Sequence, residues 1–260
     1  MDRPALLKRL DDERQNLTQG GAIHERTDSL TRICSPYRAV VFSSLTADTA
    51  DPSIAAEIDH HQKLGMGFEW KLYEHDKPAD MLARLARHGF QIGPREAVLV
   101  LDLSAPADWI DGTGPHSVVR VDGPEQVEIY RRVAEAVFSK DYEFTTRELM
   151  QAVQAGSTYV RGYIAFAGEQ AVSIGRLYTH PGSIFGGLYG GGTRAESRGR
   201  GFYRALVAAR ARDAIAAGAR YLIVDALPTS QPILQRLGFE WLTHTWPCDW
   251  QPCTKPVEAR

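Results

Sequence analysis

Ser183-Ile184-Phe185-Gly186-Gly187-Leu188-Tyr189-Gly190-Gly191-Gly192-Thr193-Arg194-Ala195-Glu196-Ser197-Arg198-Gly199-Arg200-Gly201-Phe202-Tyr203 is the stretch that decides the fold. Its first part reads as a strand, because Ile184, Phe185, Leu188 and Tyr189 carry bulk suited to a pleated surface. Its second part is a basic glycine loop, Arg198-Gly199-Arg200-Gly201, and a helix is expected from Phe202 to about Ala217. A strand, a basic glycine loop and a helix start together make a device for holding phosphate. Glycine lets backbone turn sharply and approach a ligand closely. The helix start offers N–H groups and the positive end of the dipole. Arg198 and Arg200 add forked donors for phosphate oxygens.

A nucleotide P-loop would need Gly-Lys-Ser or Gly-Lys-Thr, which the stretch lacks. A dinucleotide fingerprint would need a third glycine where Arg204 stands. The loop instead resembles the pyrophosphate loop of the GNAT superfamily, the acyl-CoA-dependent N-acetyltransferases, whose pattern is Gln/Arg-x-x-Gly-x-Gly/Ala. Residues 198–203 fit except at Tyr203, where a small residue is usual. Downstream, Tyr221–Ala226 reads as a buried strand, Ser230–Leu237 as a short helix, and Gly238-Phe239 as its end. The resemblance covers about Ser117–Trp250 and is strongest over Leu188–Phe239.

What the resemblance implies is an α/β (α+β) GNAT fold: a mixed, mostly antiparallel sheet flanked by helices. Acetyl-CoA is the implied co-substrate. Gly191, Gly192 and Thr193 are expected along the pantetheine arm, where the family's fourth and fifth strands splay apart. Arg198, Gly199, Arg200, Gly201, Phe202 and Tyr203 are expected at the pyrophosphate. Three glycines in a row weaken a strand, which close approach of a ligand or a bulge at a sheet edge would explain. Many family members place a tyrosine four residues before the glycine of Gly-Phe; here that position is Leu234, which cannot donate a proton. Ser230 and Tyr203 are the substitute acids, and Ser230 is counted with the cofactor site. Glu143, Asp141 and Tyr189 are candidate bases, although a loop carboxylate such as Glu143 is also an ordinary surface group. Ser230 could equally cap its helix.

The rest of the chain supplies context. Its 260 residues suffice for one large or two modest domains. A net charge of −2 argues against a nucleic-acid partner. Cys34, Cys248 and Cys253 are too few for a disulfide framework, and Cys248-x4-Cys253 lacks companion ligands, so no metal is expected. Nothing reads as a membrane span or a signal peptide, and a cytoplasmic protein is expected.

In the first half, Arg3 to about Leu17 reads as a helix, Arg38–Leu45 as a strand, and Asp51-Pro52-Ser53 as the start of a helix to Leu64. Strand Phe68–Tyr73, a helix opened by Asp76-Lys77-Pro78, Gly89-Phe90 and strand Ala97–Leu103 repeat the later order of Tyr221–Ala226, Pro232–Leu237, Gly238-Phe239 and Trp241–Trp246. This reads as an internal duplication, with residues 1–110 a degenerate GNAT-like domain and 111–260 the acetyl-CoA-binding domain; the alternative is chance agreement between two ordinary α/β segments. The first copy has Thr46–Asp51, with Asp48 and Asp51, where a glycine loop would stand. Ser104–Pro115 reads as a linker and Ser117–Val121 as the next strand. Asp122-Gly123-Pro124-Glu125 opens a helix, and Thr145-Thr146-Arg147-Glu148 reads as the capping box of another. Strands Thr158–Phe166 and Ala171–Tyr178 form a hairpin around Ala167–Gln170.

The expected function is transfer of an acetyl group to a primary amine, of a small molecule or peptide, by a monomer or homodimer. The alternatives are a non-catalytic acyl-CoA sensor or scaffold, and a protein that binds some other anion at the same loop.

Overall fold

The computed structural model describes residues 1–17, 20–111, 116–139 and 141–252. Cys253, and with it the cysteine pair considered above, lies outside them.

In chain order the elements are α1 (Arg3–Asn16), β1 (Ile23–Arg26), β2 (Leu30–Ser35), β3 (Ala39–Ser43), α2 (Ala47–Leu64), β4 (Phe68–Tyr73), α3 (Met81–Arg87), β5 (Gln91–Ile92) and β6 (Glu96–Asp102). They continue as α4 (Asp108–Asp111), β7 (Ser117–Arg120), α5 (Pro124–Phe138), α6 (Glu143–Gln154), β8 (Val160–Ala167), β9 (Gln170–Thr179) and β10 (Phe185–Thr193). The last are α7 (Phe202–Ala216), β11 (Tyr221–Ala226), α8 (Gln231–Arg236) and β12 (Glu240–Trp250). No helix among the described residues is long and apolar enough to cross a membrane.

The chain forms two compact units, and no single cut separates them. The first holds Met1–Val98, Ala226–Gln231 and Trp241–Arg260; the second holds Leu99–Asp225 and Pro232–Glu240.

In the first unit the strand order is β1-β2-β3-β4-β12, and β5 also pairs with β12. β3 and β4 are parallel, with α2 as the crossover, whereas β4 and β12 are antiparallel over Phe68–Tyr73 and Thr245–Trp250. The core gathers Val40, Ile54, Trp70, Leu85, Phe90 and Cys248, each at most 5% exposed. Burial of such large apolar side chains contributes about 1.5–3 kcal/mol apiece. The α2 helix begins earlier than Pro52 suggests. Thr46 Oγ1 accepts from Thr49 N at 3.3 Å, and Thr49 Oγ1 accepts from Thr46 N at 2.9 Å. That reciprocal box starts the helix at Ala47 and leaves Pro52 inside it. Thr46–Asp51 is therefore a capped first turn rather than a loop.

In the second unit β6 from Leu99 onward, β11, β10, β9, β8 and β7 lie side by side. β7 to β10 are antiparallel neighbours, and β10 and β11 are parallel with α7 as the crossover. Val127, Tyr130, Val133 and Leu149 of α5 and α6 pack with Ile164 and Ile174. The expected capping box at Thr145–Glu148 is not one. Thr146 lies within α6, and its hydroxyl lies 2.9 Å from the Tyr142 carbonyl and 3.1 Å from that of Glu143. The helix starts two residues before Thr145, where Asp141 Oδ1 accepts the Glu143 N–H at 2.7 Å.

The repeated order has a matching local geometry in each half. α3 ends with Gly89 at φ +87°, its N–H on Ala86 O and the Phe90 N–H on Leu85 O, both 3.1 Å. α8 ends with Gly238 at φ +93°, its N–H on Gln235 O at 3.0 Å and the Phe239 N–H on Leu234 O at 3.1 Å. Both are Schellman endings, and both close on a buried Leu and Phe.

Candidate active site

The site is built on β10. Its pairing with β11 covers Phe185–Gly187 against Tyr221–Ile223 and goes no further. Its pairing with β9 continues to Thr193, but with a register shift between Tyr189 and Gly192. Gly190 and Gly191 together oppose the single residue Gly175, and Gly190 sits at φ +55°. This is a β-bulge, in the part of β10 that keeps β9 as a neighbour but no longer pairs with β11. β10 therefore parts from β11 and then bends. The sequence-derived expectation of splayed strands has this geometric counterpart.

The glycines are also required by the protein's own side chains. A Cβ on Gly191 would lie 2.9 Å from Cε2 of Tyr203, and one on Gly192 would lie 2.5 Å from Cγ1 of Val137. Thr193 is buried and turned inward. Ser173 Oγ donates to Gly192 O at 2.8 Å, so the 2.6 Å contact between the two hydroxyls is a donation from Thr193 to Ser173.

Beyond Thr193, a 3-10 turn at Ala195–Ser197 leads to the loop. Arg198 and Arg200 are exposed, and Arg198 Nε donates to Thr193 O at 3.2 Å. Gly201 is the N-cap of α7 at φ +89°, with no side-chain cap. The first N–H groups of a helix have no partner within it, so this end presents donors where α2 has covered its own. Phe202 is buried, and the His116 ring lies 4.0 Å from its ring. His116 Nε2 donates to Arg200 O at 2.6 Å, pinning the loop from below. The sequence gives no local sign of that contact, which spans 84 residues.

On one side of the bulge lies Arg210 of α7, 1% exposed. Its Nη1 donates to Arg176 O at 3.2 Å and its Nε to Leu206 O at 3.1 Å. Burial lowers its pKa below the ordinary arginine value. On the other side are Tyr130, Glu148, Arg176, Tyr178 and Tyr189. Tyr178 Oη donates to Glu148 Oε2 at 2.6 Å, and Arg176 Nη1 donates to Tyr178 Oη at 2.9 Å. Burial and the neighbouring Glu148 raise the Tyr178 phenol above its usual range. Burial pushes the Tyr130 phenol up to about 12. Sequence reading missed all of these but Tyr189, because they come from four separate elements and form no motif.

Of the candidate bases, Tyr189 is half exposed, lies directly across from Arg176 in the ladder, and has its ring edge-on to Tyr178 at 5.1 Å. Glu143 is exposed in the first turn of α6, and Asp141 is engaged by that helix start. Ser230 belongs to the other compact unit, and its Oγ donates to Leu227 O at 3.2 Å. Leu234 is fully buried. In the first unit, ligand atoms of Asp11, His75 and Asp76 lie within 4.8 Å of one another, but Arg14 already holds Asp76 through two hydrogen bonds, at 2.9 and 2.8 Å.

No family model and no curated protein matches the chain by sequence. Solved structures do match it. A GCN5-related N-acetyltransferase from Kribbella flavida aligns with a TM-score of 0.66 at 15% identity, covering 99% of this chain and 97% of that one. A tandem GNAT protein from the clavulanic acid biosynthesis pathway aligns at 0.58 and 14%, covering 95% and 88%. A GNAT-family protein described as a putative acetyltransferase, from Novosphingobium aromaticivorans, aligns at 0.58 and 16%, covering 89% and 92%. With the parted strands, the bulge and the uncapped glycine turn already described, these likenesses establish that the chain has the fold of the GCN5-related N-acetyltransferases.

Proposed function

We propose that this protein transfers an acyl group, acetyl in the simplest case, from acyl-CoA to a primary amine by direct attack. The observation that carries the reading is β10 itself: it leaves β11 after Gly187, bulges at Gly190-Gly191, and runs on to an uncapped helix start at Gly201. Parted strands expose backbone groups to which an amide-bearing arm can add as a strand. The helix start and the two exposed arginines suit a pyrophosphate. Gly191, Gly192 and Thr193 then line the arm, and residues 198–203 hold the phosphates.

In the reaction, the neutral amine nitrogen bonds to the thioester carbon, the carbon–sulfur bond breaks, and the sulfur leaves as a thiolate. One amine proton goes to a base and one proton ends on the thiolate. Glu143, Asp141 and Tyr189 are the bases expected from the sequence. Glu148, joined to Tyr178 beside the bulge, is the further candidate. Ser230 is the candidate donor to sulfur. The protein is read as a cytoplasmic monomer or homodimer whose first unit carries no acyl-CoA.

A second reading, a non-catalytic acyl-CoA sensor, is favoured by one observation: Leu234 fills with hydrocarbon the position where a phenol is usual. The test is release of free thiol from acetyl-CoA with a panel of amines, alongside calorimetry with CoA. Release with at least one amine establishes the enzyme. Binding without release establishes the sensor, and absence of binding refutes both.

A further inference from the structure

Three buried donors beside the bulge lack acceptors among the described residues: Arg210 Nη2 on the Gly191 side, and the Tyr130 hydroxyl and Arg176 Nε on the Gly190 side. Tyr130 is 0% exposed, and its hydroxyl, beside the Arg176 guanidinium, makes no well-aligned hydrogen bond among the described residues. Arg176 Nε is equally enclosed and equally unpartnered. Both face Gly190: a Cβ built there would lie 3.5 Å from Arg176 Nη2, 3.6 Å from Arg176 Nε and 3.7 Å from Tyr130 Oη. Nε and Nη2 are the side-on edge of the guanidinium, the edge that grips two oxygens at once. Native interiors rarely leave such donors unmet, so a ligand oxygen is the natural acceptor.

The charge count narrows the ligand. Among the described residues the carboxylate paired with Arg176 is Glu148 at 3.4 Å, and that oxygen already takes the shorter 2.6 Å bond from Tyr178. A buried guanidinium so weakly matched favours a ligand with a permanent negative charge. A thioester carbonyl is neutral before reaction and leaves the charge unmatched. A carboxylate matches it, and Glu148 supplies the counter-charge for an ammonium on the same molecule.

We propose, as a refinement resting on the acyl-transfer reading above, that the acceptor amine also bears a carboxylate, as a free amino acid does, and that Arg176 and Tyr130 bind it. Tyr130 and Arg176 then determine specificity, and the acyl-CoA groups act independently of them.

The experiment uses matched pairs: glycine, L-alanine, L-leucine and L-phenylalanine, each against the amine lacking its carboxylate, namely methylamine, ethylamine, isopentylamine and phenethylamine. Binding to the CoA-loaded full chain is read by calorimetry, and turnover by thiol release. At least one amino acid should bind, or turn over in kcat/KM, about ten- to hundred-fold better than its matched amine, the worth of hydrogen bonds to a charged group. Tyr130→Phe, which keeps the ring, and Arg176→Lys, which keeps the charge but loses the fork, should each remove most of that ratio and leave CoA affinity unchanged. Equal behaviour within every pair, no amino acid binding, or variants that lower both members alike would overturn the proposal. Amino-acid binding that responds to Tyr130→Phe without thiol release from any amine would uphold the carboxylate site and refute the transferase reading.

Discussion

Gly192 and Val137 touch so closely that any side chain at 192 must displace its neighbours: a Cβ there would stand 2.5 Å from Val137 Cγ1. Phe138 Cζ would be the next atom, at 2.9 Å. The end of α5 thus rests directly on the bulged strand. Gly192→Ala is expected to destabilise the second unit by about 1–3 kcal/mol, the usual cost of overpacking. Val137→Ala in the same chain should recover part of the loss, because it removes the methyl that clashes. Urea midpoints of the two single variants and the double variant test this, and an unshifted midpoint for Gly192→Ala would disprove the contact.

Gly201 at φ +89° has a second constraint, since a Cβ there would lie 3.2 Å from His116 Nε2. Gly201→Glu brings strain of about 1–3 kcal/mol and a negative charge to the helix start. Calorimetry should show CoA affinity lower by about a hundred-fold or more, while near-ultraviolet circular dichroism reports a folded chain. The parent should bind one CoA per chain, because α2 caps its own start with Thr46 and Thr49. A second site that survives the substitution and maps before Ser104 would contradict this.

Ser230 gives its proton to the Leu227 carbonyl. A hydroxyl so engaged is a weak donor, worth about 0.5–1.5 kcal/mol. Ser230→Ala should lower kcat by about ten-fold or less and leave CoA affinity unchanged. Full activity in steady-state assays would remove Ser230 from the mechanism, and complete loss would give it a larger role than the geometry supports.

His61 is expected to make the stability of the fold sensitive to acid. Its ring stacks on Phe68 at 3.9 Å, its Nδ1 donates to Glu57 O at 2.9 Å, and burial lowers its pKa below 6.5. Between its folded pKa and about 6.5 the unfolded chain binds the extra proton, so stability falls as pH drops through that window and is complete above it. His24, also lowered by burial, acts in the same sense. Urea unfolding from about pH 7.5 down to about pH 5 should show this slope, and His61→Gln should flatten it. An unchanged slope in the variant would assign the acid sensitivity elsewhere.

The parts of the fold legible in the sequence are those with local physical causes. The basic glycine loop, α7, β11 and the Gly238-Phe239 ending could be read because glycine, helix-start chemistry and apolar runs act over a few residues. The hairpin of β1 and β2 could not: His24, Glu25 and Arg26 are polar, and Thr31 is buried without alternation around it. β12 runs past Pro247 to Trp250, because β4 pairs with it there and Gly93 N donates to Pro247 O at 2.8 Å. The candidate site divides in the same way. Its phosphate side is one continuous stretch, whereas Tyr130, Glu148, Arg176 and Tyr178 meet only through the fold of α5, α6 and β9.

The membership of β12 in the first unit sets an order of assembly during synthesis. β4 has β3 on one flank and β12 on the other, and residues 240–250 emerge from the ribosome about 170 residues after β4. Until then the N-terminal half exposes an unpaired strand edge, with Trp70 lacking the cover of Cys248. Its last folding step must therefore wait for nearly the whole chain. A ribosome that stalls anywhere between β5 and β12 leaves a sticky, unfinished sheet, the kind of surface that chaperones hold and proteases recognise.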